Sequence, residues 1–548
     1  MRAGLVFVGP PAAAIRAMGD KSAAKAAMAA AGVPCAPGYH GDDQSPARFA
    51  EEANRIGYPV MVKASAGGGG RGMRIVREPG ALEAALRAAR AEAESAFGDG
   101  RLLVERALLG ARHVEIQVFG DEQGAIVHLG ERDCSIQRRH QKLIEEAPSP
   151  AMAPELRAAM GAAAVKAAAA VSYVGAGTVE FLLADDGRFY FLEMNTRIQV
   201  EHPVTECVTG VDCVRLQFQI AQGRPLPFDQ SGVALRGHAI EARLYAEDPA
   251  ADYLPSTGRI AAWRAPEWEG VRVDCGVESG AMVTPFYDSL LAKIVGFGAD
   301  REEARRRLVS AIEATFVAGV TTNRDLLLDV LRRQEFIDGK ATTDFLAAAG
   351  QLDASPLSAA AKAIAALLFV ERGGPPAPSA GWRASPLRLS VDGAEFAATV
   401  RRQGGEWIAT IGGDALAMRL VSRNDTEVRF SREGVISAAA YARDGDVLWL
   451  DFEGAVRCFV DRTFAPPQLE DDSADGAVRS PVSGVVVSVE AKAGDQVRRG
   501  QALATVEAMK MQYSILATID GVIAHVNAVA GKQLPLRALL FAIEPHGD

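Results

Sequence analysis

The sequence predicts a multidomain chain of the α+β class that ends in an all-β module, and three observations carry that reading. Up to about Phe345, strand-like and helix-like segments alternate, the pattern of mixed α/β or α+β packing. From Leu387 to Arg462, short alternating stretches are punctuated by Asp-Gly and Gly-Gly pairs, which reads as a small β-rich domain. From Gly484 to Glu507 the chain repeats itself at a constant offset of 37 residues: Gly484 meets Gly521, Val489 meets Val526, Gln496 meets Gln533, Leu503 meets Leu540 and Glu507 meets Glu544. Repeats this short cannot each bury a core, so the two halves must pack on one another.

The elements follow in order. Leu5–Val8 reads as a buried strand and Ala12–Ala31 as one helix. Pro59–Ala64 and Met73–Val76 are strands around a glycine run, and Ala81–Ala96 is an Ala/Arg/Glu helix. Four strand-like stretches lie between Leu102 and Gln137, then a helix near Pro154–Ala170. Thr178–Leu183 and Arg188–Met194 flank Asp185-Asp186-Gly187, a strong hairpin signal. Pro356–Val370 holds an Ala-rich helix that opens the second region. The segment Pro466–Gly476 is rich in proline and acid, a composition that stays extended and solvated and so acts as a tether.

Composition narrows the functional classes. The 548 residues are enough for several domains with sizeable cores. Net charge is −10 with a pI near 5.5, which argues against general affinity for nucleic acid. The six cysteines have no CxxC spacing, so they indicate neither a zinc site nor a disulfide framework but free thiols in a reducing cytoplasm. No apolar run reaches membrane-spanning length. The stretch Met1–Ile15 has some features of a signal peptide, but Pro10-Pro11 interrupts it, which argues against one.

Four constellations carry chemistry. Lys510 stands between Met509 and Met511 at the junction of the two half-repeats, where a hairpin holds it out from a small β domain as a covalent attachment point. Gly67-Gly68-Gly69-Gly70-Arg71-Gly72 contains GxGxxG, but a strand rather than a helix follows and no GK[ST] is present, so neither a dinucleotide fingerprint nor a Walker loop fits. It reads either as a plain flexible loop or as a glycine hairpin whose N–H groups close over phosphates, with Lys63 as a nearby cation. From Glu193 to Glu201 the odd positions are Glu, Asn, Arg, Gln, Glu and the even ones Met, Thr, Ile, Val. An extended chain puts the polar set on one face, and Glu180 lies opposite Glu193 across the predicted hairpin. Such a face is either an ordinary exposed strand or a set of oxygen ligands suited to Mg²⁺ bound with phosphates. Gln137-Arg138-Arg139-His140-Gln141-Lys142 is a basic run beside Glu145-Glu146, open to a nucleic-acid reading but better suited to an anion pocket.

These residues resemble two modules of biotin-dependent carboxylases. The Ala508-Met509-Lys510-Met511 setting, within about Arg479–Glu544, is similar to the biotin carboxyl carrier; lipoyl domains share the fold but flank their lysine differently. From about Leu5 to Phe345 the chain resembles the ATP-grasp core of biotin carboxylase through Lys63–Met73, Arg138–Lys142, Glu193–Pro203 and Arg236–Arg243. The resemblance implies that Lys21, Lys63, Gly67, Gly68, Gly69, Gly70, Arg71, Gly72, Met73 and His140 hold ATP phosphates. It implies that Glu105, Arg106 and Leu108 line the adenine slot, with His113 and Gln137 near the ribose; Arg106 replaces the lysine usual there. Glu180, Glu193 and Asn195 would ligate Mg²⁺ or Mn²⁺, while Lys142, Arg197, Gln199 and Val200 would cradle bicarbonate. Glu201 would be the base, Arg243 would stabilise the biotin enolate, and Lys510 would carry biotin. The chemistry asks for such groups: bicarbonate is a poor electrophile that ATP must activate, its proton needs a carboxylate base, and a very weakly acidic ureido nitrogen needs a fixed cation.

The implied fold is an ATP-grasp biotin carboxylase core without its usual N-terminal subdomain, a β-rich middle domain, and a C-terminal all-β biotinyl/lipoyl-type barrel-sandwich. The expected boundaries are 1–20 for a remnant of the Rossmann-like subdomain, 21–230 for ATP-grasp and 231–348 for the carboxylase C-terminal domain, then 349–465 for a subunit-docking middle, 466–478 for the linker and 479–546 for the carrier. On this resemblance the chain is a ligase, the α subunit of an acyl-CoA carboxylase. It forms a C–N bond on its own biotin and, with a separate carboxyltransferase β subunit, a C–C bond on an acyl-CoA, 3-methylcrotonyl-like in preference to propionyl, acetyl or geranyl. Biotin protein ligase and a hetero-oligomeric assembly in the cytoplasm complete the expectation. Two rivals stay open: a catalytically impaired carrier and docking protein, and an ATP-grasp ligase of another substrate with a lipoyl-type carrier.

Overall fold

A computed structural model describes residues 4–66, 72–138, 141–348, 350, 356–371, 384–465, 476–509 and 511–545. The glycine run through Arg71, Arg139, His140, the tether from Pro466 to Asp475, and Lys510 lie outside the described residues.

The first layer is a four-stranded sheet of β1 (Gly38–Tyr39), β2 (Val60–Ala64), β3 (Arg74–Val76) and β4 (Leu102–Arg106), in the order β1-β4-β2-β3. The helices Pro46–Ile56 and Leu82–Phe97 bury Phe49, Ala53, Leu86 and Ala89 against Val60, Val62, Leu102 and Val104. The second layer is an eight-stranded antiparallel sheet. Its strands are β5 (Arg112–Gly120), β6 (Ile126–Arg138), β7 (Gln141–Ala147), β8 (Gly175–Leu183), β9 (Phe189–Asn195) and β10 (His238–Tyr245), with Val271–Cys275 and Leu290–Gly298. The order is Val271–Cys275, Leu290–Gly298, β10, β7, β6, β5, β8, β9. Pro154–Ala170 is a helix with proline in its first turn, where the missing N–H costs nothing. Its Met160, Ala163, Ala164 and Ala167 pack with Val114, Ile116, Val179 and Phe181 of the sheet. On the carboxyl side, Arg301–Ala314 is capped by Asp300, which accepts from the Glu303 N–H at 2.9 Å.

Three expectations need correction. Leu5–Val8 is neither strand nor buried: Leu5, Val6 and Phe7 are 74%, 69% and 65% exposed. A strand must pair its N–H and C=O groups, and no described strand pairs with this segment. The Ala12–Ala31 helix is two helices, Ala12–Gly19 and Lys21–Ala30, because Asp20 turns extended and accepts from the Ala23 N–H at 2.9 Å as an N-cap. The four stretches between Leu102 and Gln137 are three strands, the last a continuous run of 13 residues.

Leu387–Arg462 does fold as β structure: eight strands from Ser385–Val391 to Ala455–Asp461 close into a barrel. The helix Ala359–Val370 shares its core, with Ile364, Leu367 and Leu368 beside Leu389, Val400, Phe430 and Leu448. At the C-terminus two four-stranded sheets face each other over one core of Val486, Leu503, Val506, Ile523, Leu540 and Phe541. Gln496–Val497 of the first half-repeat joins the second half's sheet, and Gln533–Leu534 joins the first half's. This exchange is how two halves too small to fold alone complete each other. No helix among the described residues is long and apolar enough to cross a membrane.

Candidate active site

The eight-stranded sheet sorts its side chains by alternation. On β5, Val114, Ile116 and Val118 enter the apolar core while His113, Glu115 and Gln117 are buried on the other side. On β8, Val179 and Phe181 do the same opposite Thr178 and Glu180. On β9 strict alternation would put Glu193 on the same face as the core residue Phe191. A register shift against β8 intervenes: Phe181 pairs with Phe191, but Glu180 pairs with Glu193. The extra residue of this bulge turns Glu193 and Asn195 onto the face of Glu180, while Met194 takes the core position. The polar alternation read from Glu193 to Glu201 is therefore extended only to Asn195, where β9 ends. Arg197 and Gln199 arrive by an irregular turn, and Glu201 occupies the N-cap position of the helix His202–Thr209, with Pro203 in its first turn.

Register places like charges side by side. Glu115 faces Glu180, Glu180 faces Glu193, and Glu145 faces Glu241 across β7 and β10, an arrangement that repels unless cations intervene. Lys142 is the hub. Its Nζ lies 2.5 Å from Glu115, 2.6 Å from Glu201 and 3.0 Å from Glu180. Burial works against the Lys142 charge, but these carboxylates hold its pKa well above the ordinary lysine range. Arg132, fully buried, donates to Glu115 (2.6 Å), Gln117 (2.9 Å), Thr205 (3.0 Å) and Thr178 (3.1 Å). Glu180 also accepts from Asn195 (2.8 Å) and Gln199 (3.0 Å), and its other oxygen lies 2.9 Å from His113 Nε2. Burial raises the Glu180 pKa, yet Lys142 and His113 outweigh it and keep the group ionised.

Glu201 sits between two cations: Lys142 on Oε1, and Arg243 Nη2 at 2.9 Å from Oε2. Burial opposes ionisation, but Lys142, Arg243 and Arg132 hold its pKa well below the usual range. Arg243 also approaches Glu145 at 2.5 Å, while its Nε is buried with no hydrogen-bond partner among the described residues. Glu193 has the opposite balance. Burial first, and the charge of Glu180 second, raise its pKa. Arg197 is exposed and donates to Gln199 Oε1 at 2.5 Å, and Lys293 donates to the Val200 carbonyl at 2.9 Å.

A second cluster lines the four-stranded sheet. Lys63 and Lys25 both pair with Glu105, and Lys21 lies one helical turn from Lys25 on the helix Asp20 caps. Burial, then the neighbouring Lys25 charge, pull the Lys63 pKa well below the ordinary value. Burial brings Lys25 to about 8 and lowers Lys21, which Glu193 partly offsets. Lys25 and Lys63 share the one carboxylate of Glu105, so positive charge is in excess beside this sheet. The Gly72 N–H donates to Glu92 at 2.9 Å, and Met73 is half-buried. Arg106 is exposed and Leu108 and Gln137 half-buried, so the expected nucleoside residues are spread along a rim while Glu105 and His113 lie inside. At the carrier, Ala508 pairs in register with Met511, and Met509 stands at φ 47.

Sequence reasoning missed Arg132, Glu115, Lys25, Glu145 and Glu241. Lys25 had a signal, since Lys21 and Lys25 stand four apart on a predicted helix and so share a face. The others meet their partners only through strand register.

Comparison with known proteins places these parts. Family models match "Carbamoyl-phosphate synthase L chain, ATP binding domain" over residues 20–228, "Biotin carboxylase C-terminal domain" over 241–348 and "Biotin-requiring enzyme" over 476–543. The methylcrotonoyl-CoA carboxylase subunit alpha, mitochondrial, of Dictyostelium discoideum is 40% identical over 95% of this chain and 79% of that protein. A biotin carboxylase from Nostoc sp. is 50% identical over 62% of this chain and 76% of its own length. The biotin carboxylase domain of Hydrogenobacter thermophilus 2-oxoglutarate carboxylase, solved as a dimer with MgADP, ADP and bicarbonate, aligns with a TM-score of 0.62 at 46% identity, covering 63% of this chain and 77% of that one.

Proposed function

The chain belongs to the family of biotin-dependent acyl-CoA carboxylase α subunits, and from that premise we propose how its residues divide the work and which acyl-CoA it serves. Glu201 is the base that takes the bicarbonate proton; Lys142, Arg197, Gln199 and the Val200 backbone hold the anion. The observation that carries this reading is the Glu201 carboxylate fixed between Lys142 and Arg243. A carboxylate held ionised at neutral pH can accept a proton, and the flanking cations attract the anion that supplies it. Lys142 already contacts three carboxylates, so it carries bicarbonate by sharing its donors rather than by moving in from solvent. Arg243 Nε is buried with no hydrogen-bond partner among the described residues, which leaves this cation a donor for a bound oxyanion.

Lys21, Lys63 and Lys25 supply positive charge for ATP phosphates, with the glycine run from Gly67 to Gly72, Met73 and His140 as the cover. Glu105, Arg106 and Leu108, with His113 and Gln137, take the nucleoside side. Mg²⁺ or Mn²⁺ fits the residues present. Glu180, Glu193 and Asn195 converge on one face after the bulge, and Glu193 is pushed toward its neutral form by burial and by Glu180, a conflict that a divalent cation relieves. When bound, the metal screens phosphate charge during ATP cleavage. Biotin on Lys510 supplies the nitrogen that carries the carboxyl group between sites, after biotin protein ligase has attached it.

The acyl acceptor is 3-methylcrotonyl-CoA, on a separate β subunit in a hetero-oligomer. Support comes from relatives named for methylcrotonoyl-CoA across nearly the whole length of this chain. A reducing compartment suits the six free cysteines; those relatives are mitochondrial, and our reading for this chain is the cytoplasm, decided by fractionation. Glu201→Gln is the direct test of the site. Bicarbonate-dependent ATP cleavage should fall by roughly 10²–10⁴-fold while binding of a non-hydrolysable ATP analogue is kept; unchanged turnover overturns the assignment. The acceptor is tested by assaying the chain with its β subunit on 3-methylcrotonyl-, propionyl- and geranyl-CoA side by side.

A further inference from the structure

We propose that Arg138, Tyr253 and Leu254 form a receptor on the carboxylase for the carrier's own methionines, seating Met509 and Met511 beside the strands that bear Lys142 and Gln137. The proposal rests on the carboxylation reading above and adds to it a recognition surface.

The contacts converge from both sides. Met509 is buried, and it belongs to the apolar cluster of Ile136, Leu143, Tyr245 and Ala246 rather than to the carrier's own core. Arg138 Nη2 points at the Met511 sulfur from 3.6 Å. The Tyr513 hydroxyl donates to the Tyr253 carbonyl at 3.3 Å, and Leu254 packs on the carrier core. All three carrier residues flank Lys510, on the strands Ala502–Ala508 and Met511–Leu516 and the turn between them. On the other side, Arg138 ends the strand that also carries Gln137, and it pairs in register with Gln141, the neighbour of Lys142. Met509 and Met511 are thereby seated at the strands that carry Gln137 and Lys142.

The receptor has the marks of a built site. Arg138 is only 7% exposed, and its Nη2 is held by Glu247 at 2.9 Å and Gln141 at 3.0 Å. Its Nε and Nη1 are buried without a hydrogen-bond partner among the described residues. What covers the guanidinium is the face of Tyr253, whose ring centroid lies 3.8 Å from Cζ. Planar stacking of this kind is open to arginine and not to lysine. Tyr253 reaches that position through two successive residues in the left-handed region, Asp252 at φ 50 and Tyr253 at φ 61. Neither is glycine, and backbone held this way against its preference concentrates at recognition sites. Thioethers suit a surface that must bind and release, being polarisable and conformationally adaptable. The interface also keeps a cavity of about 180 Å³ between Pro255, Thr257 and Pro285 on one side and Val482, Met509 and Leu536 on the other. It is a seat that the carrier can leave.

The test uses the full biotinylated chain with Tyr253→Ala, which removes the ring and keeps the backbone class. Three readouts are taken: ATP cleavage driven by the chain's own biotin, ATP cleavage driven by added free biotin, and the rate at which streptavidin captures the Lys510 biotin. Expected are a fall of about tenfold in own-biotin turnover, the scale of one lost desolvated cation–π contact, unchanged free-biotin turnover, and several-fold faster capture. Arg138→Lys keeps a cation for Glu247 but cannot stack, and it should shift the same readouts in the same direction. Own-biotin turnover and capture that stay at the wild-type values overturn the receptor. So does an equal fall in both turnovers, which marks general damage to the carboxylase. Absence of free-biotin turnover in the wild type sinks the carboxylation reading instead, and capture by streptavidin still decides the seat.

Discussion

The eight-stranded sheet of the carboxylase region and the eight-stranded barrel of the middle region use equal numbers of strands for opposite ends. The barrel fills its interior with Leu389, Val400, Phe430, Leu448, Leu450 and Phe459 around the helix Ala359–Val370, and none of the buried residues among the described residues of its strands is charged. The sheet buries Glu115, Arg132, Glu145, Glu180, Glu241 and Arg243 on one face, while its other face is mainly apolar and holds Glu131, Asp133 and Glu146 in ion pairs with Arg157, Arg112 and Arg301. Desolvating a charge is costly unless a partner is in place, so a chain that buries this many has given up stability to hold a charge pattern. The barrel shows what the same architecture looks like with no such demand. Scaffold and chemistry can therefore be told apart by what fills the space between strands.

The contrast breaks most sharply at Arg132. Each of its bonded donors ends on a buried sheet or helix residue, and it faces Glu115 across the strand pair. Arg132→Met leaves Glu115 with Lys142 alone, and removing one partner of a buried network costs about 3–5 kcal/mol. Urea unfolding should show that loss, and bicarbonate-dependent turnover should fall with it because Lys142 is drawn toward Glu115. Stability within about 1 kcal/mol of wild type would mean the buried charges are not interdependent.

The barrel gives the matching control. Leu448 is fully buried in its core, and Leu448→Ala should cost roughly 3 kcal/mol through the lost transfer energy and the cavity left behind. Bicarbonate-dependent ATP cleavage by the folded protein should stay at the wild-type level, since that core contains none of the described active-site residues. A parallel loss of turnover would show that the barrel is coupled to the chemistry and not only a support.

How much of this could be read from the chain itself follows from the range of the interactions. Turn chemistry is local, so the hairpin at Asp185–Gly187 and the half-repeats of the carrier were legible, as were the helix Pro154–Ala170 and the β character of the barrel. The family motifs pointed to Glu180, Glu193, Glu201, Lys142 and Arg243, and the structure brings these to one sheet face. The bulge that turns Glu193 onto that face was not legible, because it exists only as a mismatch between two strands. The same holds for Arg132 and Glu115, which lie 17 residues apart and meet by register. Leu5–Val8 shows the reverse error: an apolar run has strand propensity, but without a neighbour to pair with it stays exposed.

The smallest expected effect sharpens the comparison furthest, because it depends on pH. Glu241 is fully buried, neither carboxylate oxygen has a hydrogen-bond partner among the described residues, and its cross-strand neighbour is Glu145. Burial first, and then the Glu145 charge, push its pKa well above the ordinary carboxylate range. Burial raises Glu145 to about 7 despite Arg243. A carboxyl whose folded pKa lies above its unfolded one binds its proton more tightly when folded. The stability these two groups contribute is therefore fully present below the ordinary carboxylate pKa, and it is lost progressively as pH rises from there through 7 and beyond. Glu241→Gln replaces the neutral acid by a neutral amide of the same shape and removes one of the two titrations. The variant should match wild type at about pH 5 and gain on the order of 1 kcal/mol at about pH 6, since holding one proton across a single pH step is worth about 1.4 kcal/mol. Leu448→Ala, acting in a core without charges, should lower stability by the same amount at both pH values. Parallel pH profiles for wild type and Glu241→Gln would mean that Glu241 is ionised in the folded protein, with Lys293 or Arg243 as its effective counter-charge across the sheet.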